Sequence, residues 1–141
     1  MKKILLIVTC FFILIACNKT KKDENLLEDN IKIQISKIES SIDYNNKSIR
    51  LLEEKSNNSL TQIELDNYVA FLDSAIFYAN QVDLSILNSV KPEYGDNYRN
   101  KYIKSLELRR FGMLNQDAIK MIEGQKLYDE FVNWEENNIK L

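Results

Sequence analysis

The chain has no histidine. That absence removes the imidazole base of a Ser-His-Asp arrangement, the usual zinc ligand sets and the paired Glu-x-x-His elements of carboxylate-bridged di-metal bundles. Cysteine is almost as scarce. The two present are Cys10 and Cys17, so residues 18–141 can form no disulfide and offer no thiolate. Three glycines and one proline supply few of the turns that a many-stranded sheet needs, which favours long helices. Charge of neither sign dominates: 19 Lys and Arg stand against 21 Asp and Glu, and they interleave rather than gather into the basic face of a nucleic-acid binder. Carboxylates, Lys, Ser and Tyr are the reagents left for catalysis. The adjacent pairs Asp23-Glu24, Glu53-Glu54, Asp129-Glu130 and Glu135-Glu136 are the obvious candidates, but neighbours on a helix point about 100° apart instead of converging. All four pairs are therefore expected to be solvated faces, with no enzymatic activity, no metal site and no cofactor.

What the chain does have begins at its start. Lys2 and Lys3 make a positive segment, Ile4 to Ala16 an apolar run broken only by Thr9, and Ala16 is the small residue that precedes a signal cleavage site. As a membrane span the run is too short, reaching roughly 20 Å at about 1.5 Å per residue against a hydrocarbon core of about 30 Å. It ends in Leu14-Ile15-Ala16-Cys17. This tetrapeptide resembles the lipobox of bacterial lipoproteins. The resemblance implies cleavage before Cys17, a diacylglyceryl thioether on its sulfur and a further acyl chain, such as palmitate, on its amine. One chain anchors only marginally and two or more anchor stably, at about 0.8 kcal/mol per buried methylene. It also implies a location in the cell envelope, with the membrane as a partner through Cys17. Asn18 stands where an inner-membrane lipoprotein commonly has Asp, which favours the outer membrane in a host with two. On this reading residues 1–16 are a signal peptide, 17–25 the lipidated cysteine and a polar tether, and 26–141 a helical domain. Losing Lys2 and Lys3 moves the formal charge from −2 to −4.

From Ile31 the chain steps 4-3-4-3-4-3 through Ile35, Ile38, Ile42, Asn45, Ile49 and Leu52, a heptad seam in a helix expected over Glu24 to Lys55. Asn45 interrupts that seam with an amide. Ser56-Asn57-Asn58-Ser59 is a turn composition, and Thr61-Gln62-Ile63-Glu64 has the form of a capping box. The helix it opens carries Leu65, Val69, Leu72, Ile76 and Ala79, widened by Tyr68, Phe71, Ala75 and Val82. Asp83 to Lys91 forms either a short helix or a buried connection, Pro92 to Asp96 a turn, and a helix restarts near Asn97. Gly112 is either a helix C-cap opening a hairpin, a kink or a close helix contact. The last helix follows Leu114, Ala118, Met121, Gln125, Tyr128 and Val132, widened by Ile122, Leu127, Phe131 and Trp134, and closes at Asn137-Asn138, leaving Ile139-Lys140-Leu141 to fray.

Tyr94, Tyr98 and Tyr102 recur every four residues beside Arg99, Lys101, Lys104, Arg109 and Arg110. The pattern fits either a half-buried helix face or a ligand surface of tyrosine rings with Arg99 holding a phosphate or sugar acid. The fold expected is all-α, an antiparallel bundle of three to four helices behind the cleaved lipoprotein signal peptide. Its expected role is a non-catalytic module that binds an envelope protein. The alternatives are a structural or self-assembling coiled-coil lipoprotein, with a homo-oligomer not favoured, and a small-ligand carrier using the Tyr94–Tyr102 face. No nucleic-acid partner is expected.

Overall fold

The computed structural model describes residues 21–55 and 59–139, with side chains from Glu28 onward. The signal peptide, Cys17, Ser56 to Asn58, Lys140 and Leu141 lie outside the described residues. Every described element is helical: α1 (Lys21–Glu54), α2 (Gln62–Ala79), α3 (Leu84–Val90), α4 (Tyr94–Asn97), a π-helical segment (Tyr98–Ile103), α5 (Lys104–Asn115) and α6 (Ala118–Asn138). The α4, π and α5 pieces run on without a break. The long helices pack α1 on α2, α2 on α5 and α5 on α6, with α3 bridging α2 and α4. Among the described residues no helix is long and apolar enough to cross a membrane.

No Gly or Pro interrupts the 34 residues of α1, which at about 1.5 Å each is a rod of about 51 Å. It starts at Lys21, inside the segment expected to be tether. Once a helix exists each added residue gains a backbone bond, and Lys and Glu are good helix formers. The buried line of α1 also differs from the expected seam. Gln34, Ile38, Ser41, Asn45 and Ser48 are buried, whereas Ile31, Ile35, Ile42, Ile49 and Leu52 are half-buried. The helix is turned by about 60° from the aliphatic seam at 100° per residue. The reason is polar. Ser41 Oγ donates to the Ala75 carbonyl at 2.8 Å and shares a 2.9 Å bond with the Tyr102 hydroxyl, and Asn45 Oδ1 accepts from Arg109. Gln34 Oε1 accepts from the Asp83 amide at 2.8 Å. Serine is also small, so α2 can approach closely at Ala75 and Ala79, both fully buried.

The start of α2 follows the expected capping box. The Glu64 amide donates to Thr61 Oγ1 at 3.4 Å, and Glu64 Oε2 accepts from the Thr61 amide at 2.8 Å. Lys55 reaches across the turn to Glu64 at 2.8 Å. Lys55 and then the Thr61 groups hold the Glu64 carboxyl down at about 2. Asp83 caps α3 by accepting from the Ser85 amide at 2.9 Å. The turn at Pro92 passes through Glu93 in the left-handed region, φ 69°, and helix resumes at Tyr94 rather than near Asn97.

Gly112 does not end its helix; it is a close helix contact, where a β-carbon would lie 2.7 Å from the Asp117 carbonyl oxygen and 2.8 Å from the Met121 amide nitrogen. Helix α5 runs three residues past it, Gln116 turns at φ 54°, and Asp117 caps α6 by accepting from the Lys120 amide at 3.1 Å. The chain therefore does double back, and the bundle has four long members. The inner line of α6 is Met121, Gly124, Tyr128, Phe131 and Glu135; Met121, Tyr128 and Phe131 belong to the expected face, whereas Gly124 and Glu135 do not, and Leu114, Ala118, Ile122 and Gln125 of the expected face are exposed. Helical periodicity of apolar residues misses this line because its closest contact is a glycine. Ile139 does not fray: it is buried, and its amide donates to the Glu135 carbonyl at 2.8 Å.

A β-carbon on Gly124 would lie 2.6 Å from Arg109 Cγ and 2.8 Å from the Ser105 carbonyl oxygen, so α5 and α6 touch backbone to backbone there. In an open helix Gly→Ala stabilises by about 1 kcal/mol. Here Gly124→Ala is expected to destabilise by about 1–3 kcal/mol, because the obstructing atom is a carbonyl that cannot rotate away. Urea unfolding of the variant should show a lower midpoint; an unchanged or higher one would contradict the close contact.

Candidate functional site

The four residues singled out as a ligand surface do not share one. Tyr94, Tyr98 and Tyr102 are 7%, 1% and 1% exposed, while Arg99 points to the outside. The physical reason is the π segment. Three successive four-residue steps, from Tyr94 to Leu106, would walk about 40° each off the inner face of an α-helix. The wider π turn, bonded i to i+5, absorbs the extra residue and keeps all four side chains inside. The phenols accordingly pack against aromatic neighbours. Tyr98 lies 5.0 Å from Tyr102 between ring centres, Tyr102 5.3 Å from Phe131, and Tyr94 5.6 Å from Trp134. Of the two readings offered, the helix face is the one that fits, buried more deeply than expected: the tyrosines form an aromatic ladder in the core and Arg99 lies outside it.

Arg99 contributes to a different feature, an open groove of about 450 Å³ lined by Asn80, Arg99, Asn100, Ile103, Lys104 and Glu107. Lys104 is spent in part on Glu107 at 3.4 Å. Arg110, from the same expected basic stripe, pairs with Asp73 on α2. The stripe is therefore divided between groove, ion pair and core rather than presented as one surface.

Arg109 is the member that goes into the core. It is 2% exposed, its Nη2 donates to Asn45 Oδ1, and its guanidinium carbon lies 5.6 Å from the centre of the Tyr128 ring. A usable signal existed in the sequence: Arg109 follows Tyr102 by seven residues, two helical turns along the same face. Among the described residues the other buried charged residue is Glu135, 4% exposed, whose Oε1 accepts from the Tyr94 hydroxyl at 2.6 Å. The expectation of solvated carboxylate pairs fails at Glu135 and holds at its neighbour Glu136, which is exposed. Burial raises the Glu135 carboxyl above its ordinary value, and the Tyr94 hydrogen bond opposes that only in part. Burial likewise raises the phenols of Tyr68, Tyr94, Tyr98, Tyr102 and Tyr128, so all remain neutral donors or acceptors at neutral pH.

Chemically this interior can hold a ring stack and a few hydrogen bonds. It brings together no second carboxylate opposite Glu135, and among the described residues no group of three or more Asp, Glu, His or Cys could hold a metal ion. No family model, curated protein or solved structure matches the chain.

Glu135 makes stability depend on pH in a definite direction. A carboxyl whose folded pKa is raised binds its proton more tightly in the folded chain, so its contribution is complete below about 4.5 and is lost as pH rises through the raised value. Glu135→Gln keeps an acceptor for Tyr94 and cannot ionise. Its melting temperature should be close to wild type at pH 4 and exceed it by a few degrees at pH 8. A difference that does not grow with pH would show that Glu135 is ionised without penalty.

Proposed function

We propose that this chain is a non-catalytic lipoprotein of a bacterial cell envelope, held to the membrane by lipid on Cys17, whose bundle binds another envelope protein. The observation that carries the binding half is the apolar surface at the α5–α6 hairpin. Phe111 and Leu114 near the end of α5 are 50% and 48% exposed, and Ile119 and Ile122 at the start of α6 are 68% and 69% exposed. Single exposed apolar residues are ordinary on a protein surface, but four large ones around one hairpin fit a contact site. The anchoring half rests on Lys2-Lys3, the short apolar run and Leu14-Ile15-Ala16-Cys17. In a host with two membranes, Asn18 favours the outer one.

The geometry of α1 fits this arrangement. Gln34 and Lys37 hydrogen-bond to the connection between α2 and α3, and residues 28–30, 32 and 33 are exposed. The stretch from Lys21 to Ile33 is then a helical spacer of roughly 20 Å between the lipid and the body. One observation favours self-assembly as a second reading: Ile31, Ile35, Ile42 and Ile49 leave a half-buried aliphatic shoulder along α1 at heptad spacing. Sedimentation across concentration separates the two, since a monomer at high micromolar concentration removes the second.

Two measurements test the proposal. Cys17→Ser should abolish fatty-acid labelling and release the protein from membranes; persistent labelling refutes the anchor. A photo-crosslinking residue at Ile122 should yield a discrete adduct with an envelope protein in cells, and one at the exposed Lys126 should not. No adduct from either Ile122 or Phe111 refutes the docking surface.

A further inference from the structure

Four side chains form a row across the outside of α1 and α2 that neither the core nor the α5–α6 hairpin uses. Phe77 is 63% exposed and meets the Tyr78 ring edge-on at 5.4 Å between centres. Tyr78 stacks on Tyr44 of α1 at 5.8 Å, with 9° between the ring planes, and Lys47 Nζ lies 4.5 Å from the centre of the Tyr44 ring. Both tyrosines are half-buried. Ile33, which is 52% exposed, and Lys37 precede Tyr44 by eleven and seven residues, so both fall within about 20° of it around α1. The groove that Arg99 lines adjoins this row: Asn80, another of its residues, follows Phe77 by three and is its neighbour on the α2 surface. Cations therefore stand on both sides of the aromatic rings, Lys37 and Lys47 on α1 and Arg99 with Lys104 beyond α2. Lys47 is paired with Asp43 and Lys104 with Glu107, whereas Arg99 has no ion pair among the described residues.

Exposed aromatic rings in a row mark a boundary with a protein or with a membrane. Composition separates the two. Protein contacts are depleted in Lys, whereas Phe, amphipathic Tyr rings and Lys or Arg stems that carry their charges outward make up the headgroup layer of a bilayer contact. Position points the same way. Helix α1 begins at Lys21, four residues after Cys17, and four residues reach at most about 14 Å. On the anchor proposed above, on which this step rests, the start of α1 is held beside the membrane, and a weak contact there is made at high effective concentration. We infer that the surface running from Ile33 through Tyr44, Tyr78 and Phe77 to the Arg99 groove docks on the phospholipid headgroups of the anchoring membrane. Phe77 enters the headgroup layer, and Arg99 meets lipid phosphate. Helix α1 then lies along the bilayer, so the Lys21 to Ile33 spacer runs beside the membrane and the α1–α2 pair is the layer nearest to it.

Lipid-borne quenchers test this in the full-length protein, purified with its acyl chains and reconstituted into vesicles of phosphatidylethanolamine and phosphatidylglycerol. With Cys10 removed in the signal and Cys17 blocked by lipid, one introduced cysteine is the only thiol left to carry a dye. A bimane on Phe77→Cys should be quenched by spin-labelled phospholipid, and so should one on Ile33→Cys, while one on Lys126→Cys of α6 should keep its emission. Phe77 and Ile33 are surface residues, so neither variant opens the core. Adding Arg99→Gln to Phe77→Cys should lower the ratio of quenched to unquenched label about fivefold, one cation at an anionic surface being worth about 1 kcal/mol. Mass spectrometry of the same preparation reads the lipid on Cys17. Its absence overturns the anchor, and this surface with it; lipid on Cys17 with an unquenched Phe77→Cys label overturns the surface alone. Equal quenching of the Phe77→Cys and Lys126→Cys labels overturns it too, since no face is then preferred. A Phe77→Cys label that is blue-shifted but unquenched overturns it in favour of a protein contact, and a ratio that Arg99→Gln leaves unchanged removes the phosphate contact.

Discussion

The contact of α5 with α6 at Gly124 is the constraint from which most of the core arrangement follows. With no side chain on Gly124, the stem of Arg109 lies flat against the α6 backbone, and the guanidinium is carried past the helix interface into the interior. Once there it needs an acceptor, and Asn45 of α1 supplies one. That demand, together with the Ser41–Tyr102 bond, selects which side of α1 faces inward. Two amides, Gln34 and Asn45, and two serines are buried beside Ile38, and Ile31, Ile35, Ile42 and Ile49 are turned onto a shoulder. Hydrophobic burial alone would have chosen otherwise. A half-exposed isoleucine gives up part of the roughly 1.5–3 kcal/mol that full burial contributes. An unsatisfied buried cation costs more than that, so the polar contacts set the rotation.

This hierarchy explains which parts of the fold are legible from sequence. Local signals were readable where the chemistry is local. Thr61 with Glu64 caps α2, Asp83 caps α3, the 24–55 stretch is one helix, and the chain is wholly helical among its described residues. Facing was not readable where a tertiary partner overrides apolar periodicity. The α1 rotation depends on Arg109 and Tyr102, more than fifty residues away, and the inner line of α6 depends on a glycine that carries no hydrophobic signal. The tyrosine stripe failed for a third reason. A four-residue repeat drifts in an ideal α-helix, and only a π turn, which no residue in Tyr98–Ile103 announces, keeps Tyr94, Tyr98 and Tyr102 on one side. Glu135 and Ile139 show the same limit at the bundle end, where Tyr94 and the Glu135 carbonyl hold residues that composition would place in solvent.

The interior is thus organised as a column, with Glu135 and Tyr94 at one end, the Tyr98–Tyr102–Phe131 rings in the middle and Arg109 with Asn45 and Tyr128 further along. Such groups add less to stability than well-packed aliphatics would. Their physical effect is on alternatives: a helix slid by one turn, or rotated to bury Ile31, Ile35, Ile42 and Ile49, would break the Gln34–Asp83, Ser41–Tyr102 and Asn45–Arg109 hydrogen bonds. A chain with little Gly and Pro and abundant Leu, Ile and Lys has many ways to collapse into helices. Specific polar pairing is what separates one of them from the others.

Burial of the polar residues also shifts where recognition can occur. Groups committed to the column are not free to meet a partner, and among the described residues no acidic cluster could hold a metal, so the proposed binding would fall to the outer surface at the α5–α6 hairpin, the Arg99 groove or the α1 shoulder. These lie on a body whose longest helix is also its proposed link to the membrane. If Cys17 carries the lipid, α1 enters the bundle as a rigid rod, and Gln34, Ser41 and Asn45 fasten that rod by hydrogen bonds to the α2–α3 connection, to α2 and the π segment, and to α5. Apolar contacts let a helix slide or turn at little cost, whereas each of these bonds has one register. The orientation of the hairpin relative to the membrane would then be set by the same residues that cost α1 its aliphatic burial, which gives that sacrifice a mechanical consequence beyond the fold itself.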